Sequence, residues 1–76
     1  GLPPLDIPRK VRPYSLVAYY DVDERGNATL LGFNETSDRG FNRKLREVLQ
    51  GVRFRPATRL DGRAVRDTGM FAIDYP

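Results

Sequence analysis

Asp21 and Asp23, followed by Gly26, have the spacing of the first ligands of a calcium-binding loop. In such a loop alternate side-chain oxygens ligate the ion. The pattern fails at its fifth and twelfth positions, because Arg25 and Gly32 stand where an oxygen ligand and a bidentate glutamate are required. Gly26 instead favours a tight turn, since glycine adopts a positive φ without steric cost. We therefore expect a hairpin turn here and no metal site.

Side chains that commonly carry out acid–base or nucleophilic chemistry are scarce. The 76 residues include no His and no Cys, which removes the commonest general base, the thiol nucleophile and the thiolate metal ligands. Ser15 and Ser37 have no imidazole to activate them, and Lys10 and Lys44 lie among other cations. No glycine-rich phosphate loop is present. We expect a protein that is not an enzyme and that binds no cofactor.

Positive charge is concentrated in the second half of the chain. The formal net charge of +3 divides into −2 for residues 1–38 and +5 for residues 39–76, and eleven of the thirteen basic residues are Arg. Arginines and four tyrosines could hold the phosphates and stack the bases of a nucleic acid. The arginines alternate with apolar residues, as in Val52-Arg53-Phe54-Arg55. Arginines in such a pattern are more typical of the solvent-exposed face of a half-buried strand. Nucleic-acid binding is therefore a minor alternative, and no nucleic acid is expected among the partners.

The length and composition fit one small globular domain preceded by an arm. The chain is 39% hydrophobic and 30% charged, and no apolar run approaches the roughly 18 residues of a membrane-spanning helix, so we expect a soluble domain. Residues 1–13 contain four of the six prolines. This density favours a proline-rich extended arm, the tail of a linker, because proline excludes most regular ladders and helices. The folded module is expected at residues 14–76.

The pattern after the arm predicts two strands and then a helix. Residues 15–23 alternate β-branched, aromatic and polar types, and residues 28–36 form the second arm of a hairpin. Ser37 or Asp38 can cap a helix over about residues 40–50, with Gly51 at the position of a left-handed C-cap. The apolar residues of this helix and its end are Phe41, Leu45, Val48, Leu49 and Val52. Their spacing forms one stripe.

The remaining residues predict one more long strand at the border of the sheet. A short extended piece stops at Pro56, a reversal is expected at Asp61-Gly62, and residues 64–75 read as the last strand. Phe71, Ile73 and Tyr75 share one face of that strand. The expected fold is α+β, strand-strand-helix-strand, with a three-stranded antiparallel sheet of order 2-1-3 and one helix packed on one face. In this order the second and third strands are both edges.

Several segments, taken in order, have a pattern that is known from one family. They are Val17-Ala18-Tyr19-Tyr20-Asp21-Val22-Asp23 with Gly26, the helix from Phe41 to Leu49, Val52-Arg53-Phe54-Arg55-Pro56-Ala57, and Asp61-Gly62-Arg63-Ala64-Val65. In order and spacing they resemble the C-terminal domain of TonB-type energy transducers, over about 60 residues. The proline-rich arm is similar to the end of the spacer in these proteins. The resemblance implies the same strand-strand-helix-strand fold.

The resemblance also implies a function. Domains of this family lie in the periplasm, are tethered to the inner membrane in the full-length protein, and bind the TonB box, a short extended segment of outer-membrane transporters. They transmit force from a proton-driven motor of the ExbB and ExbD type, and they take up the TonB box by β-strand addition to the last strand. In this sequence the partner-binding residues would be Arg66, Asp67, Thr68, Gly69, Met70, Phe71, Ala72, Ile73 and Asp74. Arginine in and beside this strand is expected to attract acidic segments.

A free strand border permits other partners as well. The same edge could pair with its own copy and give a homodimer. Domains of this shape also occur in signalling and repeat proteins, so a self-associating or adaptor module is the alternative function.

Overall fold

The computed structural model describes residues 2, 3 and 5–76, and its main feature is a three-stranded antiparallel sheet with one helix. In chain order the elements are a 3-10 turn at Arg9–Val11, β1 at Tyr14–Val22, β2 at Ala28–Phe33, α1 at Arg39–Gln50, β3 at Ala57–Thr58, β4 at Ala64–Val65 and β5 at Asp67–Tyr75. The large sheet has the order β2-β1-β5, and β3 and β4 form a separate two-stranded sheet. The predicted α+β fold, strand order and antiparallel directions are confirmed.

The central strand β1 supplies one side of the core. Its core-facing side chains are Tyr14, Leu16, Ala18, Tyr20 and Val22, and all five are buried. Ser15 and Tyr19, on the opposite face, are exposed. The strand begins and ends one residue earlier than the alternation predicts, but the period of two is the one expected of a strand with one buried face.

The helix α1 supplies the other side of the core. Asp38 caps it, because its Oδ1 accepts the N–H of Phe41 at 3.0 Å. Phe41, Leu45 and Leu49 are buried along one stripe, as their spacing predicts. The predicted left-handed C-cap is wrong: Gly51 has φ −89° and ψ −4°, a right-handed conformation open to any residue.

A polar network joins the end of β2 to the start of the helix. The buried Asn42 accepts the N–H and the hydroxyl of Thr36 on its Oδ1 at 2.8 and 2.6 Å, and donates its Nδ2–H to the Thr36 carbonyl at 2.9 Å. Because Thr36 bonds to the helix, β2 stops at Phe33 rather than continuing through the predicted residues 34–36.

The first hairpin turn is closed by an aspartate and a glycine. The Oδ1 of Asp23 accepts the backbone N–H groups of Arg25 and Asn27, both at 2.9 Å, and Gly26 has φ +85°. The Asn27 N–H and the other donors hold the pKa of the Asp23 carboxyl below its ordinary value. The predicted hairpin is confirmed, and this carboxylate is committed to the turn.

The chain before β1 packs against the core. Ile7 is buried, and Leu5 and Val11 are half-buried against the same cluster. The expected extended arm therefore contains a 3-10 turn and a core residue, while its role as the tail of a linker stays a prediction. Gly1 and Pro4 of the arm lie outside the described residues. Among the described residues, no helix has the length and apolar character needed to cross a bilayer.

A second, small hairpin interrupts the predicted last strand. Gly62 has φ +84°, and the N–H of Arg59 donates to the carbonyl of Arg63 at 2.8 Å, so the reversal expected at Asp61-Gly62 is present. The predicted strand 64–75 is divided, because Ala64–Val65 pairs with β3 whereas Asp67–Tyr75 pairs with β1.

Candidate strand-docking edge

β5 lies at one border of the large sheet. It pairs with β1 over nine positions, from Tyr14 opposite Tyr75 to Val22 opposite Asp67. Among the described residues no strand pairs with the other side of β5, and we call that side the open edge. Of the predicted site residues, Asp67 to Asp74 lie in β5 and Arg66 immediately precedes it.

Hydrogen bonds between β1 and the segment after β2 establish which backbone groups of β5 face the open edge. Val17 donates its N–H to Oδ1 of Asn34 at 2.8 Å and accepts the N–H of Asn34 at 3.3 Å, so its backbone groups point away from β5. Because these groups alternate in direction along a strand, the next residue, Ala18, points toward β5. Ala18 lies opposite Phe71, which therefore bonds to β1.

The same alternation assigns the other positions of β5. Gly69, Phe71 and Ile73 point their N–H and C=O groups toward β1, whereas Thr68, Met70, Ala72 and Asp74 point theirs toward the open edge. The N–H of Thr68 is already taken, because it donates to Oδ1 of Asp67 at 2.8 Å. An added strand would therefore pair with the stretch from Met70 to Asp74.

The core side of this edge is only partly filled. The ring of Phe54 packs over Gly69 and lies 4.8 Å from the ring of Tyr20, centroid to centroid. Phe71 is half-buried, and Ile73 remains 37% exposed although it faces the core side. A cleft of about 370 Å³ lies here, lined by Gly51, Val52, Arg53, Phe54 and Phe71.

The opposite face of the sheet carries an apolar strip. Tyr19 is 48% and Met70 is 60% exposed, and these two residues lie directly opposite each other on β1 and β5. Ala72, opposite Val17, extends the strip along the open edge. A strand added to β5 would have apolar neighbours on both faces.

Arg66, one of the predicted partner-binding residues, already has a partner within the domain. Its guanidinium forms a paired hydrogen bond and ion pair with the carboxylate of Asp21, with Nε 3.0 Å from Oδ1. Arg66 lowers the pKa of the Asp21 carboxyl, mainly through this hydrogen bond. Its guanidinium is therefore engaged within the domain, and its attraction of acidic partner segments stays a prediction.

The tyrosines are poorly placed for stacking on bases. Tyr14 and Tyr20 are buried, and their hydroxyls donate to the carbonyls of Asn34 and Leu49 at 2.6 and 2.7 Å. Tyr75 is half-buried, its ring 6.5 Å from that of Tyr14. Only Tyr19 of the four has a largely exposed ring. The described residues thus offer one stacking platform, where single-strand binders use several in succession.

The remaining side-chain clusters have mixed charge. In residues 2, 3 and 5–76 no three Asp or Glu carboxylates come together as a metal site would require. A cleft of about 570 Å³ lies between Asp6 and Pro8 and the start of α1, and both cations and anions line it. Lys10 at its border is 3.4 Å from the Asp38 carboxylate. The ion pair between Lys10 and Asp38 links the N-terminal segment to the start of the helix.

Two features of the open edge were not predicted from the sequence. The bond from the Thr68 N–H to the Asp67 carboxylate depends on a side-chain rotamer, although Asp side chains commonly accept from neighbouring backbone N–H groups. The cleft beside Phe71 depends on the path of residues 51–54, and no local pattern specifies that path.

Comparisons with models of protein families, with curated proteins and with solved structures find no match.

Proposed function

We propose that this chain is the periplasmic interaction domain of a TonB-type energy transducer. It binds the TonB box of outer-membrane transporters by strand addition to β5. In the full-length protein it is tethered to the inner membrane and transmits force from a proton-driven motor of the ExbB and ExbD type. The proposal rests on the sequence resemblance described above together with one structural observation, the open edge of β5.

The open edge supports this proposal because it supplies what an extended peptide needs. Met70, Ala72 and Asp74 present N–H and C=O groups in register that no strand of residues 2, 3 and 5–76 pairs with, and a peptide strand satisfies such groups with its own backbone. The border is long, nine residues, and no proline or bulge interrupts it. Natural sheets usually protect such borders, so an unprotected one is a recognition feature or an aggregation hazard.

The position of β5 also supports a mechanical role. β5 is bonded along its full length to β1, and β1 is continuous with the N-terminal segment at Tyr14. A force applied through the N-terminal segment would enter β1 and pass to β5 through the ladder. A peptide bound to the open edge would receive that force through backbone hydrogen bonds. Several such bonds resist rupture best when the force acts on all of them together.

A titration with peptides tests the proposal. We expect a peptide with a TonB-box sequence to shift the backbone amide resonances of Met70, Ala72 and Asp74 most strongly, because their N–H groups gain partners. The control is the same peptide with proline at alternate positions, which lacks the donors for strand pairing. The proposal is overturned if these resonances do not move, and salt-dependent binding of single-stranded nucleic acid would then favour a nucleic-acid-binding domain. Concentration-dependent shifts at the same residues without peptide would indicate self-association.

A further inference from the structure

The cleft beside Phe71 lies where a strand added to β5 would place one of its side chains. We infer that this cleft is a specificity pocket, which takes one large apolar side chain of the bound peptide while Arg53 at its rim selects a nearby carboxylate. The inference rests on the proposed strand addition and deepens it, because it names the peptide chemistry that the edge prefers.

Strand geometry places the side chain. Residues directly opposite each other on paired strands share a face, so a peptide residue opposite Phe71 projects toward the core side of the sheet. Phe71 directs its own N–H and C=O toward β1, so in antiparallel addition the two residues form a non-hydrogen-bonded pair. In such a pair the Cα atoms are about 4.5 Å apart and the side chains are in close contact.

On the core face, the space directly over Gly69 is filled by the ring of Phe54. Phe54 covers Gly69, and an added Cβ on Gly69 would lie 2.8 Å from Cε1 of that ring. The cleft on the core side is lined by Phe71 and not by Gly69. Ile73, the next residue on this face of β5, is 37% exposed. We therefore expect the large side chain of the peptide to lie opposite Phe71, beside the cleft, rather than opposite Gly69.

The lining of the cleft is mixed, with apolar surface from three side chains and polar surface that includes Arg53. Val52, Phe54 and Phe71 contribute apolar side chains, and Gly51 contributes none. The volume of about 370 Å³ exceeds the roughly 150 Å³ cavity that holds a benzene ring in an engineered protein core. A leucine or phenylalanine side chain therefore fits, and its burial would contribute more than that of an alanine.

Arg53 is the available cation beside this cleft. It is exposed, and among residues 2, 3 and 5–76 it forms no ion pair, whereas Arg66 is paired with Asp21. A carboxylate on the peptide next to the pocket residue would meet its guanidinium, the side chain best suited to hold a carboxylate with two parallel hydrogen bonds. The pocket thus selects an acidic peptide with one large apolar residue.

Gly51 offers a way to fill the pocket without disturbing the backbone. Its φ of −89° suits any residue, and an added Cβ would have as its nearest neighbour the Val48 carbonyl oxygen at 3.4 Å. Gly51→Leu should therefore fold and occupy the cleft with its own side chain. Gly32→Leu is the matched control, because an added Cβ there meets no atom within 4 Å and lies on the other edge strand.

The probes are synthetic nine-residue peptides of Ser and Thr with one Glu and a single central Leu, and matched peptides with Ser for Leu or Gln for Glu. With the unchanged domain we expect the Leu peptide to bind about 10- to 100-fold more tightly than the Ser peptide, the effect of burying one such side chain. Gly51→Leu should reduce this preference to near unity and Gly32→Leu should leave it intact. Nuclear Overhauser contacts should join the peptide Leu methyls to the rings of Phe54 and Phe71.

The preference for Glu over Gln should be about two- to five-fold, as for an exposed ion pair, and Arg53→Gln should abolish it. The pocket is wrong if the Leu and Ser peptides bind equally to the open edge, or if Gly51→Leu keeps the preference; strand addition itself would then stand. If none of the peptides, nor the TonB-box peptide, moves the amide resonances of Met70 and Ala72, both strand addition and the pocket are overturned.

Discussion

The ring of Phe54 lies so close to Gly69 that a Cβ on this glycine would be 2.8 Å from Cε1 and 3.0 Å from Cδ1 of the ring. Gly69 stands opposite the buried Tyr20 on β1, and the ring centroids of Tyr20 and Phe54 are 4.8 Å apart. The glycine thus lets the segment after the helix close over β5 and form the core side of the open edge. The path of residues 51–54, and with it the cleft beside Phe71, depends on this contact.

Gly69→Ala should destabilise the domain by about 1–3 kcal/mol, the usual cost of overpacking. The added methyl group must displace the Phe54 ring, and Cγ2 of Val22 would lie 3.1 Å from it on another side. Urea unfolding measures the change. Gly32→Ala is the control and should be neutral or slightly stabilising, since its Cβ meets nothing within 4 Å. Equal stabilities of the two variants would contradict the contact.

Leu45→Ala should unfold most of the population. Leu45 is fully buried at the centre of the helix stripe, and truncation of such a leucine costs about 2–5 kcal/mol. A core of this size supplies only about 3–5 kcal/mol. Circular dichroism at 25 °C should show loss of helix signal, and the exposed Leu31→Ala should leave it unchanged. A folded Leu45→Ala variant would show that this residue does not anchor the helix.

The hydroxyl of Tyr20 should contribute about 0.5–1.5 kcal/mol to stability, as a typical buried hydrogen bond does. It donates to the carbonyl of Leu49 at 2.7 Å, in the last turn of α1. Tyr20→Phe removes only this group and should lower the free energy of unfolding accordingly. Tyr19→Phe is the control, because the exposed Tyr19 makes no comparable bond in the described chain. An unchanged Tyr20→Phe variant would mean that water replaces the hydroxyl at no cost.

Three carboxyls should make the domain sensitive to acid: Asp21, Asp23 and Asp38. Their pKa values lie below the ordinary 3.8, chiefly because of the Arg66 side chain, the Asn27 N–H and the Phe41 N–H, respectively. A lowered folded-state pKa contributes stability that is present above the unfolded value and is lost as the pH falls through the folded value. Stability should therefore be flat near neutral pH and decline below about pH 4.

The Asp38→Asn variant distinguishes the contribution of the Asp38 charge to stability from that of its helix-capping hydrogen bond. Asparagine caps a helix about as well as aspartate but does not titrate in this range, so stability near neutral pH should change little and the acid-dependent decline should become shallower. Urea unfolding across this range measures both. An unchanged acid profile would show that Asp38 is not one of the groups responsible.

Two proline substitutions in β5 distinguish the two sides of the strand. Ala72 points its N–H toward the open edge, so Ala72→Pro should remain folded, as proline is tolerated on edge strands with the missing donor outward, and should lose peptide binding. Ile73 points its N–H toward β1, so Ile73→Pro should unfold the domain. Binding by a folded Ala72→Pro variant with unchanged affinity would exclude this edge as the docking site.

Much of the fold follows from local patterns. The alternation in β1, the stripe from Phe41 to Leu49 and the turn glycine Gly26 each specify an element by themselves, and chain direction then gives the sheet order. The end of β2 at Phe33 could not be obtained this way, because it depends on side-chain hydrogen bonds between Asn42 and Thr36.

The sequence predicted the strand that forms the candidate site, but it did not predict which residues pack beside that strand. The sequence places Phe71 and Ile73 on one face of β5, and the structure has them there. Which neighbours cover that face is a matter of tertiary packing: Arg66 is taken by Asp21, 45 residues away in sequence, and Phe54 reaches Gly69 across the core side. Such distant contacts have no period or spacing to indicate them.

Amide hydrogen exchange along β5 tests the central claim most directly. In the free domain the amides of Phe71 and Ile73 should be protected by their bonds to β1, while those of Met70 and Ala72 exchange rapidly at the open edge. On addition of a TonB-box peptide, Met70 and Ala72 should become protected and Phe71 should change little. Protection of Met70 and Ala72 in the free monomer, or rapid exchange of both when the peptide is bound, would contradict strand addition to β5.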